Sequence, residues 1–426
     1  MKTLVNEFRD YARLPAAHLV ALDLNGLATE VLGLYAAQQE GGLLKAELDP
    51  GLPLILGDGE RQARTHDHEE AHDIHDSQKG EHHHLEDAAE FRSAQAGIQG
   101  SGDVLDGGAD NDVITTGLGA TAIGGGGFDT LILNLSEQTA NYTLNIGKAS
   151  QKLDANTKVS GFEAVQYQGS AGKDKVTGAN GVDVLNGNGG NDTLIGRGGT
   201  DTMTDGAGDD RLLGGSGDDM LWRSDATGKD FFDGGTGTDT LQFSGYYGSV
   251  IFDMANQSKN DGLAKGLTAK NIERVHGSYA EDRISGDGKN NYINGLLGDD
   301  TLDGRAGNDT LDGGGGDDLL TGGAGADVFM LSRDGNQGDI STDFTRGSDK
   351  LGIGYYFGIY AGSGTTFEVV TGASPVAKTT GPTFLFETDN GRLWFDADGK
   401  SDVAEAEFIA QLRGVSNLSV NDFVLI

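Results

Sequence analysis

From residue 169 onward the chain repeats one nine-residue unit, Gly-Gly-x-Gly-x-Asp-x-(large apolar)-x. The clearest run, residues 187–222, reads GNGGNDTLI, GRGGTDTMT, DGAGDDRLL and GGSGDDMLW. A second run, residues 295–330, reads GLLGDDTLD, GRAGNDTLD, GGGGDDLLT and GGAGADVFM. Three physical consequences follow from one unit. The glycines permit tight turns at φ > 0. The aspartate supplies a hard oxygen donor. The x-apolar-x triplet is a very short strand with one side chain turned inward. A fixed period of this length suggests a solenoid.

Composition agrees with a ladder of coils. The chain has 71 glycines in 426 residues, far above ordinary usage. All five prolines (Pro15, Pro50, Pro53, Pro375 and Pro382) lie outside residues 54–374. A stacked ladder uses every backbone N–H, so proline is disfavoured within it. There is no cysteine, so disulfides cannot supply the stability that one inward apolar residue per nine leaves wanting. The formal net charge of −35 repels phosphate and argues against a nucleic-acid partner. It suits cations.

Consecutive copies of this unit resemble the RTX proteins, whose nonapeptide is a calcium-binding repeat of a parallel β-helix. The resemblance covers residues 97–426. It implies an all-β fold, a parallel β-roll in three blocks with strand-rich inserts. A small, partly helical N-terminal region and a β-rich C-terminal secretion region complete the expected fold. The expected division is 1–60, partly helical; 61–96, an acidic, His-rich linker; 97–132, the first block; 133–168, an insert; 169–242, the second block; 243–276, an insert; 277–330, the third block; and 331–426, a β-rich cap with a type I secretion signal. The inserts are read as equivalent because FDTLILNL and TDTLQFSG leave a block, whereas VSGFEAVQYQGS and TAKNIERVHGSY enter the next. Glu163 and Glu273 hold equivalent places there and are assigned a structural role.

The resemblance makes the repeat aspartates calcium ligands: Asp112, Asp129, Asp174, Asp183, Asp192, Asp201, Asp210, Asp219, Asp230, Asp239, Asp282, Asp300, Asp309, Asp318 and Asp327. Partners two units apart, such as Asp192 and Asp210, are expected to share an ion between coils. Asp112 and Asp129 are 17 apart, one short of that spacing. An insertion around residues 223–227 spreads Asp210–Asp230 and Asp219–Asp239 to 20, which places those sites in question. Thr121 and Asn291, read at the aspartate position, weaken theirs.

Function then follows as expectation. The chain reads as a non-enzymatic, secreted protein, extracellular or at the cell surface, that folds on external Ca²⁺. Its task would be surface or matrix binding, or adhesion. Its partners would be calcium ions, the type I secretion machinery, and cell-surface polysaccharide or lipid. A membrane-active, pore-forming relative is the alternative, acting through residues 1–60.

A zinc metalloprotease is a further alternative, because His68-Glu69-Glu70-Ala71-His72 has the HExxH form. The extended motif of that protease class needs Gly at 75 and His at 78, where this chain has His75 and Gln78. The linker histidines, His66, His68, His72, His75, His82, His83 and His84, are candidates for loose Zn²⁺ or Ni²⁺ binding. No uninterrupted apolar run is long enough to form a membrane-spanning helix. The final FVLI after Asp422 resembles an uncleaved export signal.

Overall fold

A computed structural model describes residues 102–426, apart from 244–247, 334–337, 355–356, 360–365, 379 and 400–405. It also describes the backbone strands His82–His84 and Ser93–Gln95. The N-terminal segment expected to be partly helical, the HExxH-like pentad and the histidines at 66–75 lie outside the described residues.

Short parallel strands stack at every second repeat unit. Val184, Leu185 and Asn186 pair with Thr202, Met203 and Thr204, which pair in turn with Met220, Leu221 and Trp222. On the opposite wall Thr193–Ile195 pairs with Arg211–Leu213. Each triplet alternates outward, inward, outward, so the inward side chains form two facing columns. Leu185, Met203 and Leu221 fill one; Leu194 and Leu212 fill the other; all five are fully buried. This is the parallel β-roll that the resemblance implied, two repeat units to each coil, and the described residues contain no α-helix.

The two walls differ. One is a continuous 14-stranded sheet running from Ser93–Gln95 to Phe423–Leu425. The other is divided into sheets of five, six and ten strands. The breaks fall at the inserts. Thr130–Asn134 pairs directly with Ala164–Gln168, so the continuous wall passes the first insert without interruption. Within that insert Thr143–Asn145 starts a new sheet against Lys175–Thr177.

The roll also starts earlier than the repeats do. His82–His84 pairs with Val104–Asp106, and Ser93–Gln95 pairs with Val113–Thr115. Part of the segment expected to be an irregular linker therefore contributes strands.

One register differs from expectation. Val104 pairs with Thr121, so Thr121 opens a strand and Ala120 occupies the aspartate position. The loop between these coils is one residue short, which also explains the spacing from Asp112 to Asp129.

Beyond residue 350 antiparallel pairs enter the sheet, although Glu368–Gly372 still pairs parallel with Thr383–Glu387. Thr383–Glu387, Arg392–Asp396 and Glu407–Leu412 form a hairpin-like layer, and Phe357, Phe384 and Phe395 pack edge and tilted against one another beneath it. The last strand, Phe423–Leu425, pairs with Leu351–Ile353 and completes the continuous wall.

Candidate metal centres along the roll

All fifteen predicted aspartates are buried. Each sits just before a strand, so the roll repeats its position at every half coil. The pairing between successive coils is first of all a hydrogen bond. Asp192 Oδ1 accepts from the backbone N–H of Asp174 at 2.7 Å, Asp201 from Asp183 at 2.8 Å, and Asp210 from Asp192 at 2.6 Å. The third run repeats this, with Asp300 accepting from Asp282 and Asp318 from Asp300. Asp129 accepts from Asp112 at 2.9 Å across the shortened coil.

The same ladder holds where the spacing stretches to 20. Asp230 accepts from Asp210 at 2.7 Å, and Asp239 from Asp219 at 2.9 Å. The extra residues are absorbed in the turns, and the doubt raised by the spacing does not extend to the ladder. Four further carboxylates continue the pattern, and sequence reasoning missed two of them, Asp339 and Asp349. Glu163 and Glu273 accept from the N–H of Asp129 and Asp239 at the junctions with the inserts. Asp339 and Asp349 accept from Asp318 and Asp327, 21 and 22 residues away. Their irregular spacing hid them.

With Oδ1 engaged, Oδ2 distinguishes two kinds of loop. In the open kind it is buried without a hydrogen-bond partner, as in Asp129, Asp192, Asp201, Asp210, Asp219, Asp239, Asp300, Asp309 and Asp327. In the closed kind the second residue of the loop donates its backbone N–H. Ala179 donates to Asp183 Oδ2 at 2.8 Å, Ser170 to Asp174 Oδ2 at 2.9 Å, and Ser278 to Asp282 Oδ2 at 2.6 Å. Asp287 donates in the same way to the amide oxygen of Asn291 at 3.0 Å. Closed loops are the first two after each insert.

Backbone conformation separates the two kinds. In open loops the second residue has φ > 0, including the non-glycines Asn188, Arg197, Leu296 and Arg305. Leu296 at φ 79° is costly for a side-chain-bearing residue and marks a constraint imposed by the loop. Ser170, Ala179, Ser278 and Asp287 are absent from the positive-φ set, and their N–H groups reach the carboxylate.

The open loop forms an oxygen-lined cradle. A Cβ placed on Gly304, the first residue of its loop, would lie 2.5 Å from Asp309 Oδ2 and 2.7 Å from the carbonyl oxygen of Gly322 in the next coil. Glycine is needed there because any side chain would fill the space between two oxygens. Among the described residues no three His, Asp or Glu side chains converge on one point. The donor set is therefore a carboxylate with backbone carbonyls, all hard oxygens. That set fits Ca²⁺, which accepts such ligands in flexible geometry.

Electrostatics favour cation capture. Burial raises the carboxyl of Asp192 and Asp201 to about 7, partly offset by the N–H bond from the coil before and reinforced by neighbouring carboxylates. Asp300 is raised to about 8 for the same reasons, with Asp282 and Asp318 adding repulsion. Asp210, Asp239 and Asp309 are raised to about 6, again chiefly by burial. A divalent cation would supply the compensating charge that these sites otherwise find in a proton.

The RTX calcium-binding nonapeptide repeat family matches residues 100–123, 167–194, 195–224, 226–242, 276–311, 295–329 and 303–337. Among solved structures, the chain is similar to the AlgE6R3 subunit of the mannuronan C5-epimerase from Azotobacter vinelandii. Identity is 26%, covering 34% of this chain and 78% of that one, with a TM-score of 0.24. It is also similar to the extracellular lipase LipA from Serratia marcescens, at 19% identity and a TM-score of 0.19. That match covers 70% of this chain and 45% of the lipase, so the chain spans less than half the lipase's length. No curated protein matches the chain.

Proposed function

Because this chain is built on RTX calcium-binding nonapeptide repeats, we propose that it is a secreted protein completed by extracellular calcium, which then acts in surface or matrix binding, or adhesion. The observation that carries the calcium reading is the row of buried Oδ2 atoms without partners, with a carbonyl of the next coil crowding the same loop glycine in the loops of Asp129, Asp192, Asp201, Asp219, Asp239, Asp300 and Asp309. In this reading Asp112, Asp129, Asp192, Asp201, Asp210, Asp219, Asp239, Asp300, Asp309, Asp318 and Asp327 hold ions. Asp174, Asp183 and Asp282 start the ladder without one.

Calcium linkage gives the proposal its physical logic. At tenfold its Kd, each site contributes about 1.4 kcal/mol, and several sites sum to on the order of 10 kcal/mol. Extracellular calcium modules bind with Kd of roughly 10⁻⁴–10⁻³ M. The protein would stay unfolded in low-calcium cytosol, pass through a type I exporter guided by residues 331–426, and fold outside. Among the described residues no helix is long and apolar enough to cross a membrane.

Two experiments test the proposal in sequence. Circular dichroism during a calcium titration should show β-structure appearing with the ion; a fully folded protein in chelator contradicts the calcium step. The calcium-loaded chain should then bind polysaccharide-coated or lipid-coated surfaces, and retention on neither removes the adhesive role.

A further inference from the structure

One loop of the second run departs from all its neighbours. Gly187, Asp205 and Arg223 follow the stacked strands Val184–Asn186, Thr202–Thr204 and Met220–Trp222, so they hold the first position of successive loops. In the open loops at 187, 196, 214, 234, 295, 304, 313 and 322 this residue is glycine. At 223 it is an arginine, 1% exposed and among the largest fully buried side chains of the molecule.

The guanidinium of Arg223 lies in an oxygen cage. Its Nη1 contacts Asp230 Oδ2, the carboxylate of its own loop, and lies 3.5 Å from Asp205 Oδ2 in the loop before. All three side chains are fully buried. Nη2 donates to the carbonyls of Lys265 at 3.1 Å and Thr227 at 3.3 Å, and Nε donates to that of Leu263 at 3.3 Å. Asp205 Oδ1 is held by Ser224 and by the N–H of Gly206. Two carboxylates and three carbonyls are the kind of donor set a calcium ion would recruit. The loop is longer than its neighbours, which gives the side chain room, and the insert supplies two of the carbonyls.

The geometry points to Arg223 as a resident cation: its guanidinium takes the place of calcium in the loop 223–230 and locks that loop to the insert at 263–265 without metal. The inference rests on the reading that the other open loops hold calcium. It gives the roll a built-in clasp in its middle that needs no ion of its own. A buried arginine lacking both carboxylate partners would be strongly disfavoured, so the charge pairing here is specific.

The test uses the full-length chain. Bound calcium is counted by equilibrium dialysis for wild type, Arg223→Gly and Arg223→Lys. Arg223→Gly should bind one more calcium per chain than wild type and need a higher calcium concentration to fold; Arg223→Lys should keep the wild-type count. An unchanged count in Arg223→Gly, in a wild type that does bind calcium, overturns this inference alone. A wild type that binds no calcium overturns the reading of the other loops and the inference with it.

Hydrogen exchange of the wild type at sub-saturating calcium gives a second readout that needs no variant. The amides of Asp210 and Arg223, inside the clasp, should exchange more slowly than those of Asp282 and Asp300. Equal exchange in the two places overturns the clasp even if Arg223→Gly fails to fold.

Discussion

The two loops that open each run after an insert and the loops that follow them share glycine, aspartate and strand, yet they treat the carboxylate differently. At Asp183 the N–H of Ala179 closes the site; at Asp201 the second residue, Arg197, turns to φ 84° and the Oδ2 is left bare. A closed loop is satisfied by its own backbone. An open loop leaves a buried carboxylate oxygen without a partner, which a cation would complete under the proposed function. The roll therefore joins self-sufficient starting coils to coils that depend on their surroundings.

Withdrawing calcium gives the largest expected effect. At pH 7.5 the open coils should lose on the order of 10 kcal/mol of stability, and β-structure should collapse in a chelator titration followed by circular dichroism. Survival of the whole signal would erase the distinction between the two kinds of loop.

Protons should substitute partly for the missing ion. Asp192, Asp201 and Asp300 hold protons more tightly folded, at about 7, 7 and 8, than in the unfolded chain, where Asp titrates at about 3.9. Their contribution to the metal-free fold is present in full below about pH 4 and is lost as pH rises through 7 to 8. Metal-free protein should thus gain β-structure when taken from pH 8 to pH 5. A metal-free fold that weakens on that acidification would reverse the sign.

Single substitutions sharpen the comparison further. Asp300→Ala, in an open loop, should cost about 2–3 kcal/mol in saturating calcium, combining a lost site with a lost ladder bond. Asp282→Ala, in a closed loop, should cost about 1–3 kcal/mol whether calcium is present or not. Chemical denaturation at two calcium levels separates them; identical calcium dependence would merge the two classes. The smallest effect belongs to Leu296→Gly. Relieving the backbone at φ 79° should stabilise the loop by up to about 1 kcal/mol without changing the calcium count, checked by thermal melts.

Much of this was legible in the sequence because a period of nine fixes both the inward residue and the carboxylate. Leu194 and Asp192 needed no structure to be placed. Thr121 was misread because one missing loop residue shifts the register onto Ala120. Asp339 and Asp349 escaped because a ladder bond tolerates turns of different length. The open and closed loops could not be told apart by residue type: Leu296 and Ala179 both stand where glycine is usual, and only the first has φ > 0. Position after an insert carries that information, and it became visible once the coils were stacked. Arg223 and Asp205 were hidden for another reason, since a charged pair at two glycine positions has no meaning until the stacking brings them together.

The most direct measurement is anomalous scattering from crystals grown in calcium. Peaks should lie beside Oδ2 of Asp192, Asp201, Asp210, Asp219, Asp300 and Asp309, with none beside Asp174, Asp183 or Asp282. Empty cradles at the first group, or equal peaks at both, would contradict the account.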